Sequence, residues 1–403
     1  MKQKNHHMTT EQEKVIPNSR FKINLEFLGL LSLLVVGFLS RLDTSLITID
    51  MSKYYFAWYR YIRDSGIAVA FQEGLMEYTP AFSYLFASTT LLDSIIPKVT
   101  AIKLIPITAD VISTYFVYRI VRIKYPRGNK PYWAAGVFFI LPTIFINSAH
   151  WGQMDALYTL FIIISLFFFL KEKPLLGMLA YALSFSIKIQ TIFFIPFLVI
   201  LFLKKKIPWW QFLLIPEVYV ISCIPAVLLG TSWQTVLTIY LGQIGKYRWL
   251  SGNAPNLYTF VPNEYYEPGL VIGLIVAFCT LTAWIIFTAL DKKDLTRERM
   301  VLLALISVSL TPFVLPKMHD RYFYPADALS LIVAFYNPNL WFVPILFQLS
   351  SGLAYTVYLL GTSIGLVKIG AIINTVLIAY LLAYQLSRQV SSIREASDHE
   401  VVH

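Results

Sequence analysis

The sequence predicts an all-α polytopic membrane protein with about a dozen crossings. Three observations carry this: apolar runs recur along most of the chain, charges are few, and basic residues gather in short clusters between the runs. Of the 403 residues, 57% are hydrophobic and only 14% charged, whereas about a quarter of a soluble domain is charged. The runs are roughly 17–20 residues long, the length a helix needs to cross a bilayer. A membrane β-barrel would instead show segments of about 10 residues with alternating polarity, and the sequence shows none.

The net charge of +10 does not point to nucleic acid. Of the 33 basic residues, 21 fall in clusters at 2–22, 119–130, 171–173, 204–206, 292–299 and 388–394. Loops on the cytoplasmic side of a membrane carry such clusters. Placing all of them inside gives one consistent path. The first helix runs near 24–42. Helices near 100–122, 132–149 and 155–170 follow, then a divided pair near 175–187 and 190–203. The remainder lie near 208–229, 269–290, 299–316, 324–336, 341–360 and 367–386.

Residues 1–23 and 387–403 are then cytoplasmic tails around a membrane domain at 24–386. No cleavable leader is evident at the N-terminus. The segment 80–97 cannot cross, because a crossing there would move the cluster at 119–130 outside. It is expected to lie in or dip into the outer interface, bounded by Pro80 and Pro97. Two outer loops are long, 43–99 and 230–268, and long loops are frequently functional. Cys223 and Cys279 both lie inside apolar runs, so no disulfide is expected.

Five polar constellations interrupt this pattern. Asp50 follows the first helix and precedes the aromatic, basic stretch 52–61, with Asp43 as a competing carboxylate. The stretch suits an interfacial anchor, and Asp50 suits a general base. Asn147, His150, Trp151, Gln153 and Asp155 crowd one interhelical turn. Such a turn is costly at membrane depth unless it faces a cavity, although Asp155 also suits a helix N-terminus. Lys188 and Gln190 divide two apolar half-helices, and a lysine there either snorkels or meets an anion.

The densest group is Lys317, His319, Asp320, Arg321, Tyr324 and Asp327. It offers a fork-shaped cation suited to phosphate oxygens, or an internal salt-bridge knot. The last, Asn253 and Asn256, is by itself a turn signal.

All five fall on the outer side of the derived topology. A carboxylate, several cations, aromatic surfaces and a lipid boundary together suggest sugar transfer from a lipid phosphate to an acceptor hydroxyl. His150 and His319 lack partners at metal-ligand spacing, so neither metal nor other cofactor is expected. The departing phosphate would be neutralised by side-chain cations.

The runs from His150 to Tyr158, Phe185 to Gln190, Asn253 to Tyr258 and Pro316 to Asp327 resemble bacterial GT-C glycosyltransferases. The nearest group is the one related to GPI mannosyltransferase 2. Eukaryotic glucosyltransferases that use dolichyl-phosphate glucose are similar at greater distance. The resemblance covers about residues 24–386, with Asp320 standing where Glu is more usual.

It implies a GT-C fold with a juxtamembrane helix in the first outer loop, a polyprenyl-phosphate sugar donor and an inverting displacement. It also implies a catalytic carboxylate at Asp50 and a donor phosphate at His319 and Arg321. Lys188 and Lys317 are assigned to the same phosphate. Trp151, Gln153, Asp155, Gln190, Asn253, Asn256, Asp320 and Tyr324 are assigned to the sugar or acceptor pocket. The acceptor would be a glycan, a teichoic-type polymer or a lipid-linked sugar on the outer face of a plasma membrane. The rival reading is a lipid-linked sugar transporter or flippase, with Asp110 as the polar residue inside its path.

Overall fold

The computed structural model describes residues 25–74, 77–244 and 247–400. The expected tail 1–23 lies outside them. Among the described residues the chain is nearly all α-helical. Five helices are long and apolar enough to cross a membrane, and a sixth span results if a pair bent by 50° counts as one. Helix α1 is Leu25–Leu42; α2 (Phe56–Ser65), α3 (Ile67–Gln72) and α4 (Pro80–Ser88) follow. Then come α5 (Lys98–Lys124), α6 (Lys130–Ile140), α7 (Pro142–Phe145), α8 (Asp155–Leu170), α9 (Pro174–Ile187) and α10 (Ile195–Leu203). The rest are α11 (Leu214–Leu228), α12 (Trp233–Ile244), α13 (Tyr266–Leu290), α14 (Arg297–Val314), α15 (Tyr324–Tyr336), α16 (Val343–Leu360) and α17 (Gly365–Glu400).

Burial separates the helices by role. In α14 every residue from Met300 to Val314 is buried, and α8 is nearly as enclosed. A helix that is apolar on all sides and surrounded by others forms the centre of a bundle. Helix α13 is equally apolar but exposed, with only Gly273, Ala277, Trp284 and Thr288 buried. Its Phe278, Val271 and Ile275 face outward. Water would penalise such a surface and lipid would not.

Several expectations need correction. The first long loop, 43–99, in which one helix was expected, holds α2, α3 and α4. Helix α2 buries Trp58, Tyr59 and Ile62 and leaves Arg60, Arg63 and Asp64 outside, an amphipathic pattern at helical spacing. The helix expected at 80–97 is shorter: α4 ends at Ser88 and a 3-10 turn, Thr89–Leu92, follows. At 1.5 Å per residue it reaches about 14 Å, too short to cross. The second loop, 230–268, contains α12, whose exposed Trp233, Leu237 and Leu241 recur every four residues. The final helix runs past the expected 386 to Glu400.

The helix expected at 132–149 is broken. Leu141 has ψ 126° ahead of Pro142, because the proline ring disfavours helical geometry in the preceding residue. After the bend, a π-helical turn, Ile146–Trp151, ends at Gly152 with φ +77°. A Cβ on Gly152 would meet Met51 Sδ at 3.0 Å and Lys103 Cε at 3.3 Å, so both backbone and space require glycine there.

A two-residue parallel pairing joins β1 (Ser251–Gly252) to β2 (Met318–His319). Lys317 N–H donates to the Leu250 carbonyl and Asp320 N–H to the Gly252 carbonyl. The second long loop is thereby zipped onto the turn between α14 and α15.

Asp110, on α5, is fully buried. Its Oδ2 accepts from Arg41 Nη2 at 2.9 Å and from Ser148 Oγ, and its Oδ1 accepts from Tyr324 Oη at 3.0 Å. Arg41 also donates to the carbonyls of Gly37 and Phe139. A buried charge with its own countercharge and saturated hydrogen bonds is a tie among helices.

Candidate functional site

Asp50, on the residue before the π-helical turn Met51–Tyr55, borders a cavity of about 100 Å³. Tyr54, Tyr55, Trp58, Glu77, Tyr78, Gln153, Tyr247 and Arg321 complete its lining. Gln153 Nε2 donates to Asp50 Oδ2 at 2.6 Å, and the Asp50 backbone N–H donates to Tyr358 Oη at 3.0 Å. Gln153 thus holds the carboxylate and Tyr358 the backbone of the same residue.

Asp43 is placed differently. It is exposed and absent from the cavity lining. It accepts from the Ser45 backbone N–H at 3.0 Å and the Ser45 hydroxyl at 2.6 Å. Those bonds hold its carboxyl below the ordinary range. It closes its own turn.

Behind the cavity, Asp155 is fully buried. Its Oδ1 accepts from Lys188 Nζ at 2.5 Å. Its Oδ2 lies 3.1 Å from Asn147 Nδ2 and 3.3 Å from Arg321 Nε. The break between α9 and the 3-10 turn Ile189–Phe194 makes this possible, because extended backbone at Lys188 aims the ammonium inward. Lys188, expected at a donor phosphate, is therefore paired with Asp155. Asp155, expected in the sugar pocket, is the countercharge that orients two cations. Arg321 also has Nη1 3.6 Å from Asp320 Oδ1 and lies over the Trp151 ring at 5.7 Å. Trp151 is enclosed, stacked on Tyr358 at 4.8 Å, and forms the wall beneath Arg321.

His319 packs among the rings of Tyr247, Trp249 and Tyr322, with centroids 5.1–5.8 Å away. Burial, and then the Arg321 charge, push its pKa down to about 3. It is neutral at ordinary pH and offers a ligand a hydrogen bond, not a charge. Asp320 is pushed up to about 7 by burial, with Asp155 and Asp50 adding to the rise and Arg321 opposing it. Gln190 Nε2 donates to Tyr322 Oη at 2.8 Å, and its Oε1 has no partner.

Of the assigned residues only Asp50, Gln153 and Arg321 line the cavity, and four of the others are engaged elsewhere. Lys317 Nζ donates to Tyr266 Oη at 3.1 Å. Asn256 Nδ2 donates to the Pro312 and Leu315 carbonyls, while Oδ1 accepts from Tyr258 N–H. Tyr324 binds Asp110. Asn253, at φ +60°, bridges to His319 through backbone. Each has a packing or backbone role instead of a place on the lining.

Residue type did not single out Glu77, Tyr78, Tyr247 or Tyr358. Tyr54, Tyr55 and Trp58 belong to the aromatic stretch flagged beside Asp50. No group of three or more metal-ligating side chains occurs among the described residues. Comparison with protein-family models gives no match, and comparison with curated proteins gives none.

Proposed function

We propose that this protein is an inverting, GT-C-type glycosyltransferase that moves a monosaccharide from a polyprenyl-phosphate donor to an extracytoplasmic acceptor hydroxyl. The observation that carries this reading is the placement of Asp50 and Arg321 on one cavity. A base and a fixed cation there suit the two ends of a displacement. Asp50 takes the acceptor proton as the hydroxyl oxygen attacks the anomeric carbon. The bond from that carbon to the phosphate oxygen breaks, and the lipid phosphate leaves with the electron pair. The guanidinium of Arg321 faces the charge that develops on it.

Support also comes from the neighbouring groove. An apolar pocket lined by Phe71, Ala226 and Val236 shares Tyr78 with the polar cavity. A prenyl chain suits the groove while its head group occupies the cavity. In this reading the helices make twelve crossings, both termini are cytoplasmic and the cavity opens outward. Asp110 is bound to Arg41, Ser148 and Tyr324, an arrangement that suits a tie among helices more than a step in a transport path.

The test is transfer by the purified full chain in liposomes. The donors are polyprenyl-phosphate hexoses labelled in the sugar, and the acceptors are a panel of octyl glycosides. The expected result is labelled product with inverted anomeric configuration. Label that crosses the bilayer still attached to its lipid, with no glycoside formed, would establish the transporter reading instead.

A further inference from the structure

Lys103 is fully buried on α5, and what its ammonium bonds is backbone. Its three ammonium hydrogens meet three backbone carbonyls: Leu46 at 2.7 Å, His150 at 2.9 Å and Thr44 at 3.0 Å. Burying an ammonium is costly, and here the cost is offset by saturating every donor. The three carbonyls belong to two stretches distant in sequence. Thr44 and Leu46 lie on the segment leading to Asp50, and His150 precedes the turn that presents Gln153.

Two more contacts tie the same stretches. Thr48 Oγ1 donates to the Trp151 carbonyl at 3.2 Å. Gly152, at the centre of the second stretch, lies against both Met51 and the Lys103 stem. Along these paths the hydrogen bond between Gln153 and Asp50 is the last link.

We propose that Lys103 is a positioning residue: its ammonium pins the segment that carries Asp50 against the turn that carries Gln153, and so fixes the carboxylate in the cavity. This rests on the glycosyltransferase reading above. Lysine suits the task because three hydrogens on one tetrahedral nitrogen can reach three converging oxygens, whereas the guanidinium of arginine is flat. The phosphate-facing Arg321 hangs on the turn after α14 and on Asp155, neither of which Lys103 touches through a hydrogen bond. Its loss therefore acts on the chemical step and not on donor affinity.

The experiment compares wild type, Lys103→Met, Gln153→Ala and the double variant, using the liposome assay and donor-induced thermal stabilisation. Lys103→Met keeps the stem and removes the ammonium. The expected result is a kcat lower by about 10–100-fold, as for a misplaced catalytic group, with donor KM and donor-induced stabilisation near wild type. The double variant should be little worse than Gln153→Ala alone, because both act through one link. Unchanged kcat, a rise in donor KM alone, or fully additive losses would overturn the proposal. If Lys103→Met does not accumulate, Lys103→Arg replaces it, with the same pattern at smaller amplitude expected and wild-type kcat overturning the proposal. Absence of donor-induced stabilisation and transfer in wild type itself would instead count against the glycosyltransferase reading.

Discussion

Gln153 Nε2 lies 2.6 Å from Asp50 Oδ2, a bond between residues 103 positions apart that joins the first long loop to the turn before α8. It marks Asp50, not Asp43, as the carboxylate the fold holds in the cavity. A general base contributes about 10²–10⁴-fold. Asp50→Asn should therefore lower transfer by about that factor, with normal expression and donor binding retained. Asp43→Asn should leave transfer nearly unchanged. A dead Asp43→Asn beside an active Asp50→Asn would move the base to Asp43.

Lys188 and Arg321 share Asp155 but differ in exposure to the cavity, which only Arg321 lines. Removing Lys188 leaves a buried carboxylate short of one cation, a loss of about 3–5 kcal/mol in comparable cases. Lys188→Met should accordingly melt at clearly lower temperature. Arg321→Lys keeps the charge and loses the fork. Its kcat/KM for donor should fall by about 1–3 kcal/mol equivalent, with little change in melting. Reversal of the two outcomes, read by calorimetry and initial rates, would exchange the roles.

His319 and Asp320 give opposite pH signatures. A histidine whose folded pKa is depressed to about 3 favours folding above its unfolded pKa. That contribution is lost as pH falls from about 6.5 towards 3. His319→Asn should flatten the acid-side decline in melting temperature. Asp320, raised to about 7, favours the folded state while protonated. Its contribution falls as pH rises from about 4 to 7. Asp320→Asn should be more stable than wild type at pH 8, and should lose the rise in donor KM expected above neutrality as a new negative charge forms beside Arg321. Parallel profiles in variant and wild type would refute the assignments.

In the proposed topology the short α4 does not cross, and its two flanks lie on the same side of the membrane. Glu73→Cys and Lys98→Cys should both react with an impermeant thiol reagent added to intact cells. Protection of Lys98→Cys until the membrane is opened would show a crossing between them.

The helices were legible because lipid and core impose the same requirement, an apolar run of sufficient length. Lys188 marked the divided pair, as a residue that a continuous apolar helix does not tolerate cheaply, whereas the bend at Pro142 was passed over in a helix read as continuous. The loops were misread where amphipathic helices are short: the every-fourth-residue stripe of α12 was present at Trp233, Leu237 and Leu241 but lay within a stretch taken as loop. In the site, residue chemistry pointed to Asp50, Gln153 and Arg321, which line the cavity. It could not give direction. Lys317, Asn256 and Tyr324 carry suitable groups, yet the turn and helix geometry aims them at Tyr266, at backbone carbonyls and at Asp110. Lys103 was invisible because its partners are carbonyls, which every residue has.

The pairing of Ser251 and Gly252 with Met318 and His319 makes two parts of the cavity rim a single mechanical unit. Tyr247 stands three residues before the first loop residue whose carbonyl is bonded, Leu250, and Arg321 one residue after the bonded N–H of Asp320. The backbone segment after Tyr247 and the turn that carries Arg321 are thereby held in register. The distance between the aromatic side of the chamber and the guanidinium is therefore set in part by backbone pairing.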